Sequence, residues 1–141
     1  MIVREFAPGD AETVVALWTA AGLTRPWNDP RADIERKRTV QPELFLVAVD
    51  DAAARVIGTV MGGYDGHRGW LYYLAVDADR RGEGIGRTLV HEVEARLVAM
   101  GCPKVQLMVR RGNDGVLEFY DELGYEPVDV AMVGKRLIID G

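Results

Sequence analysis

The residues Arg80–Thr88 read RRGEGIGRT and place glycines at 82, 84 and 86, where a strand-like run, Trp70–Val76, hands over to a helix-like run, Ile85–Met100. With every second side chain missing, the main-chain N–H groups at this corner are bare. The first turn of a helix adds unpaired donors and the positive end of its dipole, so such a corner suits the seating of a phosphate or pyrophosphate. Arg80, Arg81 and Arg87 surround it with positive charge. A plain Gly-rich turn with no ligand fits the glycines equally well. Two better-known phosphate loops fail on spacing. The dinucleotide pattern G-x-G-x-x-G, counted from Gly82, needs a glycine where Arg87 stands. The nucleoside-triphosphate loop needs a lysine before its Ser or Thr, and Arg87 precedes Thr88 instead.

Elsewhere, residues able to move protons or touch a polar substrate gather in RPWNDP, Arg25–Pro30, and GGYDGHRG, Gly62–Gly69. The lone Cys102 excludes an intrachain disulfide and a Cys-based zinc cage, and His67 and His91 have no zinc-type spacing, so no metal is expected. The 141 residues, 48% of them apolar, suffice for one core and one domain, 1–141. A net charge of −5 gives no overall positive field. Nucleic acid or an anionic membrane would therefore need a local patch, and only Arg36–Arg38 and the 80–87 corner offer one. With neither a signal peptide nor a membrane-length apolar run, the expected location is the cytoplasm, away from membrane and nucleic acid.

The elements that must position these groups follow from periodicity. Met1–Phe6 alternates as an opening strand, and Asp10 caps a helix carrying Val14, Leu17, Trp18 and Ala21 inward, ending near Gly22. Asp29 and Pro30 read as N-cap and first position of a charged helix through Thr39, with Ile34 and Val40 as its anchors. Glu43–Val49 and Val56–Tyr64 form a hairpin, and Trp70–Val76 a third strand before the glycine corner. The helix after it buries Ile85, Leu89, Val93 and Leu97, then stops at Gly101 and Pro103. Lys104–Val109 is the next strand, reached by a crossover that makes it parallel to its neighbour. A helix from Asn113 to Leu123 follows, and Tyr125–Ile139 supplies one or two closing strands. The expected class is α/β (α+β), a mixed central sheet flanked by helices, in the order β-α-α-β-β-β-α-β-α-β.

Arg81-x-x-Gly84-x-Gly86 between a strand and a long helix, followed by Asn113 and by FYDELGY at Phe119–Tyr125, resembles the GNAT superfamily of acyl-CoA-dependent N-acyltransferases over the whole length. The first motif matches the family's pyrophosphate pattern. The second matches its later N-x-x-A-x-x-F/L-Y-x-x-x-G-F pattern at Asn113, Phe119, Tyr120, Gly124 and Tyr125, with Val116 in place of Ala and Tyr125 in place of Phe. RPWNDP and MGGYDGHRG further look like the YpeA-type bacterial acetyltransferase branch.

The resemblance implies acetyl-CoA as cosubstrate, its pyrophosphate on the backbone of Arg81, Gly82, Gly84, Ile85, Gly86 and Arg87. The pantetheine arm would lie against Leu74, Ala75 and Val76, where the central strand splays at a bulge, and Asn113 would contact it. A primary amine, of a small molecule or of a protein or peptide, would attack the thioester directly, with Tyr120 as general acid toward the departing thiolate. The base stays open among Asp65, His67, Tyr72, Tyr73, Glu43 and a water relay, with His67 carried as the named candidate. Arg25, Trp27, Asn28, Asp29 and Asp65 are the residues placed toward the acceptor. A non-catalytic acyl-CoA sensor is the competing function, and edge strands with the C-terminal run offer surfaces for a homodimer.

Overall fold

In the computed structural model, which describes residues 1–140, the chain opens on β1 (Ile2–Glu5), passes a 3-10 turn at Pro8–Asp10 and enters α1 (Ala11–Ala20). Val14, Val15 and Trp18 form the buried face of α1. Asp10 stands at its N-cap position without a side-chain cap bond, contrary to the sequence expectation. Its carboxylate is held by Arg4, at 2.7 and 2.9 Å, and by the Ala7 N–H at 2.8 Å, so it ties β1 to the helix start. Gly22, at φ 72°, ends the helix in the left-handed conformation that glycine tolerates best.

Next come α2 (Pro30–Arg38), a 3-10 turn at Pro42–Leu44, and three antiparallel strands, β2 (Phe45–Asp50), β3 (Arg55–Tyr64) and β4 (Gly69–Val76). Asp29 caps α2 as its sequence predicts, accepting from the Arg31 N–H at 2.9 Å with Pro30 opening the helix. Ile34 is buried as expected, but Val40 is exposed and Lys37 takes the second inward position. Lys37 follows Ile34 by three residues and shares its face, whereas Val40 lies past the last helical turn.

The helix α3 (Ile85–Ala99) covers one face of the sheet, and α4 (Asp114–Glu122) packs beside it. The other face is covered by α1 and α2. Leu44, Leu46, Ile57, Val60, Leu89 and Val93 centre the core under α3, while Trp18, Ile34, Phe45, Val47 and Met61 centre the one under α1 and α2. Strand order is β1-β2-β3-β4-β5, with β5 (Val105–Gln106) parallel to β4.

Two expectations are corrected. The strand anticipated at Lys104–Val109 pairs only through Val105 and Gln106, opposite Gly69 and Trp70 of β4. The closing strands anticipated within Tyr125–Ile139 do not form among the described residues. The tail is held instead by polar anchors on the α2 side, with Arg136 donating to Asn28 Oδ1 at 2.7 Å and Asp140 paired with Arg36 and Arg136. An alternating sequence becomes a strand only where a neighbouring edge lies within hydrogen-bond reach.

Candidate active site

The glycine corner begins where Asp77 accepts from the Asp79 N–H at 3.0 Å and its carbonyl accepts from the Arg80 N–H at 2.9 Å, closing a tight turn. Gly82 and Gly84 follow at φ 83° and 80°, a region in which a side chain is strained. Gly86 serves a different purpose: a Cβ there would stand 3.2 Å from Phe119 Cζ, so its bareness lets α4 close against the first turn of α3. Buried Ile85 fixes the start of α3 to the core. Among the described residues, the first amide of that helix with a main-chain partner beyond the helix is Thr88, which donates to Gly84 O at 3.0 Å. The N–H groups before it are the unpaired donors of a helix start. Arg80 is engaged by Glu83, at 2.9 Å, and by Asp50, whereas Arg81 and Arg87 form no ion pair among the described residues.

Beside this corner the sheet opens. The partners Thr59↔Ala75 and Met61↔Tyr72 leave Tyr73 and Leu74 together opposite Val60, a bulge in β4. Parallel pairing to β5 stops at Trp70↔Gln106, so from Leu71 onward the β5-facing edge of β4, including Leu74, Ala75 and Val76, has no ladder partner. Leu74, Val76, Leu107 and Val109 are partly buried against the core under α3 and α4 that includes Tyr120. Tyr120 is buried, edge-on to Phe119 and Tyr125, and burial pushes its hydroxyl up to about 12. Asn113 occupies the N-cap position of α4 but makes no side-chain cap bond, so its amide is available to a ligand.

The bulge also shapes the opposite face. Tyr73 takes φ 54°, which costs a non-glycine residue roughly 1–2 kcal/mol. Its ring stacks on Trp18 at 3.8 Å, and its hydroxyl donates to Asp33 Oδ2 at 2.6 Å and accepts from Asn28 Nδ2 at 3.0 Å. Burial and the Asp33 carboxylate together hold that hydroxyl far above the ordinary tyrosine range. A cleft of about 330 Å³ lies at this point, lined by Asp33, Arg36, Lys37, Val40, Met61, Tyr72 and Tyr73. The arrangement can seat a small polar molecule on one face of the β4 bulge while the gap between β4 and β5 opens along its edge.

Of the residues placed toward an acceptor by sequence, Asn28 is the one tied to a cleft wall, through Tyr73 and Asp33 Oδ2, the latter at 2.5 Å. Asp29 caps α2. Arg25 donates to the Gly22 and Thr24 carbonyls of its own loop, at 2.7 and 2.8 Å, and Trp27 is exposed. Asp65 accepts from the His67 and Arg68 N–H groups, each at 2.8 Å, and so shapes the β3–β4 hairpin tip. Exposed His67 sits at that tip, outside the cleft lining. Sequence reasoning weighed Tyr73 and Tyr72 but passed over Asp33 and Lys37. For Lys37 a signal existed in the three-residue step from Ile34, whereas the Asp33 contacts depend on tertiary folding.

Residues 13–125 match the model of the acetyltransferase (GNAT) family. An acetyltransferase of Yersinia enterocolitica is 51% identical over 140 residues, covering 99% of this chain and 98% of its own. One of Pectobacterium atrosepticum is 52% identical with the same coverage. Among solved structures, Ard1 from Thermoplasma volcanium superposes with a TM-score of 0.77 at 28% identity, covering 87% of this chain and 80% of that one. A ribosomal-protein-alanine N-acetyltransferase of Brucella melitensis shares the fold with a TM-score of 0.72 at 22% identity, over 89% and 85% of the two chains.

Proposed function

The chain belongs to the acetyltransferase (GNAT) family, and from that premise we propose that residues 1–141 form one domain that transfers the acetyl group of acetyl-CoA to a primary amine by direct attack. The observation that carries this is the opening of the sheet: β4 has no β5 partner beyond Trp70, bulges at Tyr73 and Leu74, and runs on to a glycine corner rich in unpaired N–H groups, with a cleft lined by the bulge residue Tyr73. The corner from Arg81 to Arg87 would hold the diphosphate through its amides, with Arg81 and Arg87 adding charge. The unpaired edge at Leu74, Ala75 and Val76 offers N–H and C=O groups to the pantetheine amides, and Asn113 a further contact. An N–H at the bulge that stabilises developing negative charge on the thioester oxygen is worth roughly 2.7–4 kcal/mol by analogy with other acyl-transfer enzymes.

Tyr120 is the acid in this reading, since a hydroxyl held near 12 keeps its proton across the neutral range and can give it to the thiolate. For the amine's proton we assign solvent at the cleft mouth, because the His67 ring lies outside the cleft lining. The lone free Cys102 fits a reducing cytoplasm, and no helix among the described residues is long and apolar enough to cross a membrane. A homodimer belongs to the same reading, with the exposed tail residues Val133, Leu137 and Ile139 as apolar surface, and sedimentation velocity measures its mass directly.

The test is steady-state release of free CoA from acetyl-CoA across a panel of amines. Amine-dependent release is expected. Tight CoA binding with only slow, amine-independent hydrolysis would instead identify an acyl-CoA sensor.

A further inference from the structure

Resting on the acetyl-transfer reading, we propose that the C-terminal segment completes the acceptor cleft, with Arg136 and Asp140 as positioning residues that hold the wall formed by Asp33, Arg36 and Tyr73 in the shape that receives the amine. Residues 126–139 are exposed throughout, yet the side chain that follows them, Asp140, is only 5% exposed and is paired through both oxygens. Its Oδ1 accepts from Arg36. Its Oδ2 accepts from the Asp29 N–H at 2.9 Å and from Arg36 at 3.3 Å, and pairs with Arg136 at 2.7 Å. A carboxylate withdrawn from water is costly unless charged and N–H donors surround it, so this set of donors fixes the end of the tail at one place. Arg36, and after it the Asp29 N–H, holds the carboxyl well below the ordinary carboxylate range, which keeps it ionised at neutral pH.

From Asp140 the contacts run in a closed circuit through the bulge. Arg36 also donates to Asp33 Oδ1 at 2.9 Å, and Asp33 Oδ2 accepts from the Tyr73 hydroxyl at 2.6 Å and from Asn28 Nδ2 at 2.5 Å. Asn28 Nδ2 reaches the Tyr73 hydroxyl at 3.0 Å, while Asn28 Oδ1 accepts from Arg136 at 2.7 Å, which returns the circuit to the tail. Three of its members, Asp33, Arg36 and Tyr73, line the cleft. All three need outside support. The helix α2, which carries Asp33 and Arg36, has 9 residues and buries Ile34 and Lys37, and a helix shorter than about 12–15 residues is marginal on its own. Tyr73, at φ 54°, keeps a conformation that persists only where the surroundings over-determine it. The tail supplies that support from 104 and 108 positions away in sequence, through Asp140 on Arg36 and Arg136 on Asn28. The charge of Arg136 also acts on the Tyr73 hydroxyl, opposing the larger upward effects of burial and Asp33.

Two readouts separate this inference from the activity on which it rests. The first, hydrogen exchange followed by mass spectrometry on the full chain, needs no turnover. In Asp140→Asn and in Arg136→Gln, amides within 28–38 and 71–75 should exchange severalfold faster than in wild type, while those within 85–99 keep their rates. The second is steady-state CoA release with L-methioninamide, L-lysine and benzylamine as acceptors. Each substitution should raise the KM of the amine roughly fivefold, with kcat and the calorimetric Kd for CoA almost unchanged, because the wall is misplaced and the acyl donor is not. Asp140→Glu, which keeps the charge, should recover much of the wild-type KM. The double variant should be no worse than the more damaging single one, since both changes open the same circuit. Should one of the two fail to fold, the other carries both measurements. Wild-type exchange at 28–38 and 71–75 would overturn the proposal. Faster exchange there with a wild-type KM for every amine would make the tail a structural tie only, and would overturn its positioning role while leaving acetyl transfer standing. No turnover of the three amines by wild type, together with faster exchange in the variants, would keep the tail as a brace of the cleft and count against the transfer reading.

Discussion

Tyr120 and Tyr73 show how one residue type is put to different ends by its surroundings. Tyr120 is raised by burial to about 12 and stays protonated, which suits a donor, whereas Tyr73 spends its hydroxyl on Asp33 and Asn28 to hold a strained backbone in place. Replacing Tyr120 by Phe is therefore expected to lower kcat by roughly 10²-fold with CoA affinity almost unchanged, measured by steady-state kinetics and CoA titration. The wild-type pH profile should show no loss of the acid below about pH 11, since a folded pKa near 12 leaves the proton in place until then. Gly84, at φ 80°, makes a separate claim about the corner. Gly84→Ala should cost roughly 1–2 kcal/mol of stability and weaken CoA binding severalfold, while Gly9→Ala, with open space around its new Cβ, should leave CoA binding untouched. Equal effects of the two in a CoA titration would remove the corner from the binding site.

At the scale of elements, the bulge in β4 puts Tyr73 among the residues packed under α1 and α2, and it lies in the part of the strand, beyond Trp70, that has no β5 partner. A bulge bends its strand and strengthens the local twist, and here the inserted residue supplies Tyr73 as a cleft wall on the sheet's face. The joint between β1 and α1 is a second element-scale device. Burial alone would raise the Asp10 carboxyl, but the Arg4 guanidinium and the Ala7 N–H outweigh it and hold the folded value below the unfolded one. Its contribution is therefore complete above the unfolded pKa of about 4 and disappears as pH falls through the lower folded value. Asp10→Asn should lose about 1–3 kcal/mol at neutral pH, and the gap to wild type should narrow as pH falls below about 4 in denaturant titrations. A gap that stayed constant with pH would remove the ion pair from that joint.

At the scale of the molecule, the tail after α4 crosses to the α2 side and is pinned there through Asp140, while Val133, Leu137 and Ile139 stay exposed. Asp140→Ala should raise protease cleavage within residues 126–139 severalfold with little change in the melting temperature of the core, as read by limited proteolysis and calorimetry. The helices, the strands β2 to β4 and the glycine corner were legible in the chain itself, because hydrophobic period, caps and breakers act over a few neighbouring residues. The two motifs around Arg81 and Tyr120 also carried the family, which the comparisons show. Other features were decided by contacts between residues far apart in sequence. Among these are the shortening of β5 to two residues, the tail's lack of strand pairing, the Tyr73–Asp33–Asn28 network and the inward placement of Lys37. Local sequence sets what each segment can become, but strand pairing, the hydrogen bonds of Asp33 and the strain at Tyr73 depend on which partner the rest of the fold brings within a few ångströms.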